Sequence, residues 1–167
     1  MREFAAERTY DVPVRRLVLL WRDPEFLAAV GARYGGTTEP EIAEQGDRVV
    51  VRRGRELPLE HLPSFLRRVM SGSTIIQADS WPLDPVGESV EGEWSVEGHG
   101  IPAKMAGTQR VVASGEGCRC LVSGRVSASV PLVGGRAEEL VCREVTKLIA
   151  KEQDLAAQWL ADHREPG

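Results

Sequence analysis

Five polar residues, Arg8, Gln77, Asp79, Gln109 and Glu152, fall where the pattern of this chain puts apolar neighbours on the same face. Glu152 is the most telling of them. At about 100° per residue along a C-terminal helix, Ala137, Leu140, Val141, Val145, Leu148, Ile149, Leu155, Ala156, Trp159 and Leu160 share one face, with Glu152 near its middle. A carboxyl left unpaired in an apolar cavity would have its pKa raised by as much as about 3–5 units and would protonate. Glu152 therefore calls for Arg8, water or a ligand donor within reach. A raised pKa would also suit it to general acid or base work, and polar groups on an otherwise apolar lining commonly fix the polar end of a hydrophobic ligand. Each residue has a plainer reading too. Arg8 could form a structural ion pair with Glu152 or Asp79, or extend past a sheet end. Gln109 could satisfy backbone or water, and Glu152 could lie beyond the sheet edge.

The usual catalytic signatures are missing. There is no Gly-x-Ser-x-Gly, no His-Glu-x-x-His and no phosphate loop, and Gly115-Glu-Gly117 precedes a strand pattern instead of a helix. The three histidines, His61, His99 and His163, fall in a loop-like stretch, a turn and the C-terminal tail. Cys118, Cys120 and Cys142 cannot all pair with one another, and with no suitable histidine near them they read as small apolar filler, so no metal and no cofactor is expected.

The elements that would position these residues follow from periodicity. Arg2–Tyr10 alternates, with Phe4, Ala6, Arg8 and Tyr10 on one face. Two short helices follow, over Pro13–Arg22 and Glu25–Arg33, the second capped by Asp23-Pro24-Glu25 and ending before Gly35-Gly36. Glu41–Glu44 and Arg48–Leu57 read as a hairpin. Pro58–Met70 is an apolar loop with a helical turn, suited to core or lid. Strands resume over Ser73–Trp81, Glu88–Gly98, Lys104–Ser114 and Cys118–Leu132, and the long helix spans Ala137–His163. In Ser73–Trp81 the set Ile75, Gln77, Asp79, Trp81 competes with Ile76, Ala78, Ser80. The first is assigned inward because Trp81 is the largest apolar residue of the run. Gly92, Gly107 and Gly124 mark places where the sheet could bend or admit a close approach.

With 167 residues, 42% hydrophobic and 28% charged, the chain suits a single domain over residues 1–163 with a frayed tail at 164–167. No run is long enough for a membrane span, and no signal peptide is evident, which leads to a cytoplasmic expectation. A net charge of −4 argues against a nucleic-acid binder. The clusters Arg15-Arg16, Arg52-Arg53-Arg55 and Arg67-Arg68 read mainly as solvated surface, with a local patch near a pocket mouth as the alternative.

The order of elements, the opening Phe4…Tyr10-Asp11-Val12-Pro13, the Asp23-Pro24-Glu25-Phe26-Leu27 turn and the Val130-Pro131-Leu132-Val133-Gly134-Gly135 entry to the last helix resemble the START-like, helix-grip (SRPBCC) superfamily. Within it, the chain is most similar to an uncharacterised actinobacterial family of about this length. The resemblance implies an α+β fold: a strongly curved antiparallel sheet of six to seven strands wrapped around the C-terminal helix, with an apolar cavity between them. It also implies a hydrophobic small-molecule ligand such as a lipid or polyketide. No catalytic motif can be carried over from it.

The candidate ligand-binding residues are then Arg8, Phe65, Gln77, Asp79, Trp81, Trp94, Met105, Gln109, Leu148, Glu152 and Trp159. The leading expectation is binding or carriage of a hydrophobic small molecule. One alternative is a polyketide cyclase- or dehydratase-like enzyme using Glu152 with Arg8 or Gln109. Another is an interaction module docking through Phe65–Met70 or the acidic strand around Glu91, Glu93 and Glu97; homodimerisation is left open.

Overall fold

Strict alternation at the start of the chain and tight glycine turns near its end produce a sheet in which every neighbour is antiparallel. The computed structural model describes residues 1–34, 39–56, 60 and 62–163. Its elements are β1 (Arg2–Tyr10), α1 (Val14–Leu20), α2 (Pro24–Tyr34), β2 (Glu41–Gln45), β3 (Arg48–Glu56), α3 (Ser64–Arg67), β4 (Thr74–Pro82), β5 (Ser89–Gly98), β6 (Ala103–Ser114), β7 (Gly117–Ala128) and α4 (Gly134–Asp162). The seven strands run in the order β1-β7-β6-β5-β4-β3-β2. They curve around the helices, which is the helix-grip α+β arrangement. The tail at 164–167, Gly35-Gly36, Leu57-Pro58-Leu59 and His61 lie outside the described residues.

Local chemistry accounts for the element ends. Asp23 Oδ1 accepts the backbone N–H groups of Glu25, at 2.9 Å, and Phe26, at 3.4 Å, while Pro24 occupies the first helical position, where its missing N–H costs nothing. The β2–β3 and β6–β7 hairpins turn on Gly46 (φ 65°) and Gly115 (φ 60°), in a region that side-chain-bearing residues rarely adopt.

Two glycines shape the concave face. A Cβ on Gly92 would lie 2.6 Å from the Trp81 ring, and one on Gly124 would lie 2.4 Å from the Trp94 ring. Trp81 thus lies against the neighbouring strand β5, while Trp94 reaches across β6 to β7, with Trp81 fully buried and Trp94 nearly so. Across the sheet, Trp94 stands between Asp79 of β4 and Gly107 of β6.

The concave face is filled unevenly. At one end Leu17, Val18, Phe26 and Val30 from α1 and α2 are buried together with Ala156 and Leu160 from the last turns of α4. A smaller cluster of Leu66, Val130 and Ala137 closes the other end. Between them, Leu140, Val141, Val145, Leu148 and Ile149 of α4 face the sheet but are only half-buried.

Two boundaries differ from the sequence reading by more than two residues. The last strand stops at Ala128, not Leu132: the Ser129 N–H makes one further bond to the Pro102 carbonyl, which Pro102 has no N–H to return, Pro131 likewise has none to offer, and Leu132 takes φ 69°. The final helix starts at Gly134, three residues before Ala137, and ends at Asp162. The helical turn within Pro58–Met70 is four residues, Ser64–Arg67.

Candidate functional site

The half-buried stretch of α4 roofs a cavity of about 250 Å³. Its apolar walls come from Ile75 on β4, Trp94 and Val96 on β5, Met105 on β6 and Val122 on β7, opposite Leu140, Val145, Leu148 and Ile149. Leu62 and Leu66 close one side.

A row of polar side chains crosses one end of this space. Asp79 accepts from Arg53 Nη2 at 3.3 Å, from Gln77 Nε2 at 3.1 Å and from Gln109 Nε2 at 3.1 Å. Arg55 Nη2 donates to Glu152 Oε1 at 2.8 Å, and Arg53 Nη1 lies 4.0 Å from the same oxygen. The row therefore ties β6, β4 and β3 to the middle of α4. All four charged side chains are 15% exposed or less. Their two positive and two negative charges cancel, so the row is neutral as a unit.

Burial raises the pKa of Asp79, with Arg53 and Gln77 opposing that shift only in part. Burial also acts to lower that of Arg53, but Glu152 and Asp79 more than compensate, and the guanidinium is held in its charged form. Its Nε has no hydrogen-bond partner among the described residues. On the β7 wall, Cys120 is pushed up to about 12 by burial and by neighbouring Cys118, so it is a thiol and not a nucleophilic thiolate.

Residues 5–160 match the family described as a protein of unknown function, DUF2505. The chain belongs to that family. Solved structures share its fold: a Thermus thermophilus protein (TM-score 0.66, 17% identity, covering 98% of this chain and 100% of that one), the aromatase/cyclase Zhui of Streptomyces sp. R1128 (0.63, 14%, 98% and 96%) and Ara h 8.0201 (0.59, 15%, 97% and 99%). This DUF2505 chain thus shares the helix-grip fold with them. No curated protein matches its sequence.

Of the residues expected at the cavity of this DUF2505 member, Gln77, Asp79, Trp81, Trp94, Met105, Gln109, Leu148 and Glu152 line it. Three do not. Arg8 lies on edge strand β1, where its guanidinium bonds Asp154 on the outer side of α4 and sits 5.8 Å over the Tyr10 ring, so it reaches neither Glu152 nor Asp79. Phe65 packs in the Leu66, Val130, Ala137 cluster under the Arg136 guanidinium, 5.0 Å from its ring, leaving Leu62 and Leu66 to face the cavity. Trp159 belongs to the filled end of the concave face. It meets Phe26 edge-on at 5.7 Å and stacks on His163 at 4.1 Å.

Arg53 and Arg55 correct the sequence reading in the opposite direction. Composition places them on solvated surface within Arg52-Arg53-Arg55, yet they supply both cations of the row. Strand parity carries the signal. Val49 and Val51 are buried, and Arg53 and Arg55 share their face, while Arg52 points outward. Of the remaining histidines, His99 is exposed at the β5–β6 turn.

Proposed function

We propose that the protein binds a small hydrophobic molecule between the sheet and α4, with the Arg53–Asp79–Glu152–Arg55 row at the polar end of the space. One observation carries this reading: the fold packs side chains solidly at both ends of the concave face and leaves about 250 Å³ open between them, under the helix residues Leu140–Ile149. Closely packed interiors leave few voids larger than a water molecule. Drug-sized ligands occupy pockets of about 300–1,000 Å³, so this space suits a one- or two-ring compound or a short chain better than a two-chain lipid. Because the ionisable groups already neutralise each other, a charged ligand would have to break an ion pair to find a partner. The favoured ligand is uncharged.

Native mass spectrometry of the purified protein, followed by denaturing extraction, tests the proposal. The expected result is a co-purifying apolar compound or its uptake from an added mixture. Protein that stays free of every offered compound at saturating concentration refutes it.

A second reading, catalysis on such a ligand, is favoured by a buried carboxyl with a raised pKa at the cavity. Asp79 is that group: ionised and paired with Arg53, it can take a proton from a ligand, and its raised pKa makes it a stronger base than an ordinary carboxylate. Glu152 does not meet Arg8 in this geometry, and Gln109 is already bonded to Asp79. The fold likeness to an aromatase/cyclase supports the same class of chemistry. Asp79→Asn tests it: turnover of a polyketone substrate should fall with binding retained, and unchanged turnover removes the idea.

A further inference from the structure

The end of the molecule built from α3, residues 68–72 and residues 129–136 carries apolar side chains that the fold leaves uncovered. Leu132 is fully exposed on a backbone at φ 69°, a conformation in which its Cβ is crowded. Val69 is 43% exposed. The two segments that carry them form one surface: Phe65, Leu66 and Met70 pack on Val130, Val133 and Ala137, with Arg136 over the Phe65 ring.

Arg67, Arg68 and Arg136 are exposed on this same surface, and none has a carboxylate partner among the described residues. Elsewhere such partners are common, as at Arg15 with Asp84, Arg119 with Glu7 and Arg125 with Glu3. Of the neighbouring carboxylates on α4, Glu138 accepts the Ala128 N–H and Glu139 lies 3.9 Å from Arg2. The basic patch is therefore local, on a chain whose net charge is −4.

We infer that this end docks on the surface of an anionic lipid bilayer, with Leu132 and Val69 entering the headgroup region and the three arginines against lipid phosphates. Protruding apolar side chains ringed by cations are the features of interfacial membrane binding. An acidic protein partner would have to build a pocket around a leucine exposed on every side, whereas a bilayer accepts it anywhere. The same end supplies cavity-wall residues Leu62, Leu66 and Leu140, which places the cavity close to the docked surface. The inference does not depend on what, if anything, the cavity binds.

Co-sedimentation of the full chain with vesicles tests it. Binding is expected to phosphatidylcholine vesicles containing phosphatidylglycerol, to be weak on pure phosphatidylcholine, and to fall as salt rises. Replacing Arg67, Arg68 and Arg136 together by Gln should weaken it about a hundredfold, at roughly fivefold per arginine. Leu132→Gly removes the apolar side chain while suiting the backbone, so it should lower binding roughly tenfold with no loss in melting temperature. No binding to the anionic vesicles at low salt overturns the inference, as does full binding by Leu132→Gly. Binding to polyglutamate but not to vesicles assigns the patch to an acidic protein instead, and also overturns it.

Discussion

Arg53→Met isolates what the polar row contributes. The substitution keeps an apolar stem of similar length but leaves Asp79, 5% exposed, with only Gln77 and Gln109 as donors. It also removes the cation that lies 4.0 Å from Glu152, whose own contact with Arg55 remains. Breaking a buried pair by removing one partner costs about 3–5 kcal/mol. For a chain of this size that lowers the melting temperature by roughly 6–20 °C, taking about 2–4 °C per kcal/mol. The loss should depend on pH with a defined sign. Asp79 is already a weaker acid than usual through burial, and without Arg53 it becomes weaker still. The folded state then holds a proton that the unfolded state releases above its ordinary value of about 3.9. Stability accordingly falls as pH rises through the window from there to the raised folded value, more steeply in the variant than in the parent. The deficit should be largest near neutrality and shrink toward pH 4. Adding Asp79→Leu should recover most of the loss, because a buried pair replaced by apolar groups is often neutral or stabilising. Urea denaturation followed by circular dichroism between pH 4 and 8 measures all three proteins. A neutral-pH deficit below about 1 kcal/mol, the level of an exposed pair, or one that grows on acidification, would refute the reasoning.

Gly124→Ala should destabilise the fold by about 1–3 kcal/mol, since the added methyl meets the Trp94 ring at 2.4 Å; calorimetry showing no change would contradict the packing described. Arg8→Ala removes a partly exposed pair with Asp154 and should change stability by no more than about 1 kcal/mol and ligand uptake not at all. Cys118 and Cys120 are both fully buried, with thiols pushed up to about 11 and about 12, so the folded protein at pH 8 should resist iodoacetamide at both while the urea-unfolded chain reacts. Mass mapping of the labelled residues reads the difference.

The helix-grip order is legible in the sequence because each element announces itself locally: alternation in Phe4–Tyr10, the Asp23-Pro24 cap, and glycines at the tight turns. The ambiguous strand Ser73–Trp81 faces inward as the size of Trp81 implies, carrying Gln77 and Asp79 with it. What is not legible depends on distance across the fold. Parity puts Arg8 on the concave face, but only the sheet order shows that β1 is an edge strand beside the outer flank of α4, where Asp154 captures it. Helical spacing puts Trp159 on the same face as Leu148, yet it cannot say that α2 fills the end of the concave surface where Trp159 arrives. Arg53 and Arg55 are hidden by composition, because three arginines in four residues look like a wet surface until Val49 and Val51 fix which face is buried.

Titration with N-phenyl-1-naphthylamine, an uncharged apolar fluorophore, tests the central claim most directly. It should quench the emission of the cavity-lining tryptophans Trp21, Trp81 and Trp94 in a saturable, one-to-one manner. Leu148→Trp, which fills the space from the helix side, should abolish that binding without lowering the melting temperature. Absence of saturable binding in the parent protein, or undiminished binding in a folded Leu148→Trp variant, would contradict the account.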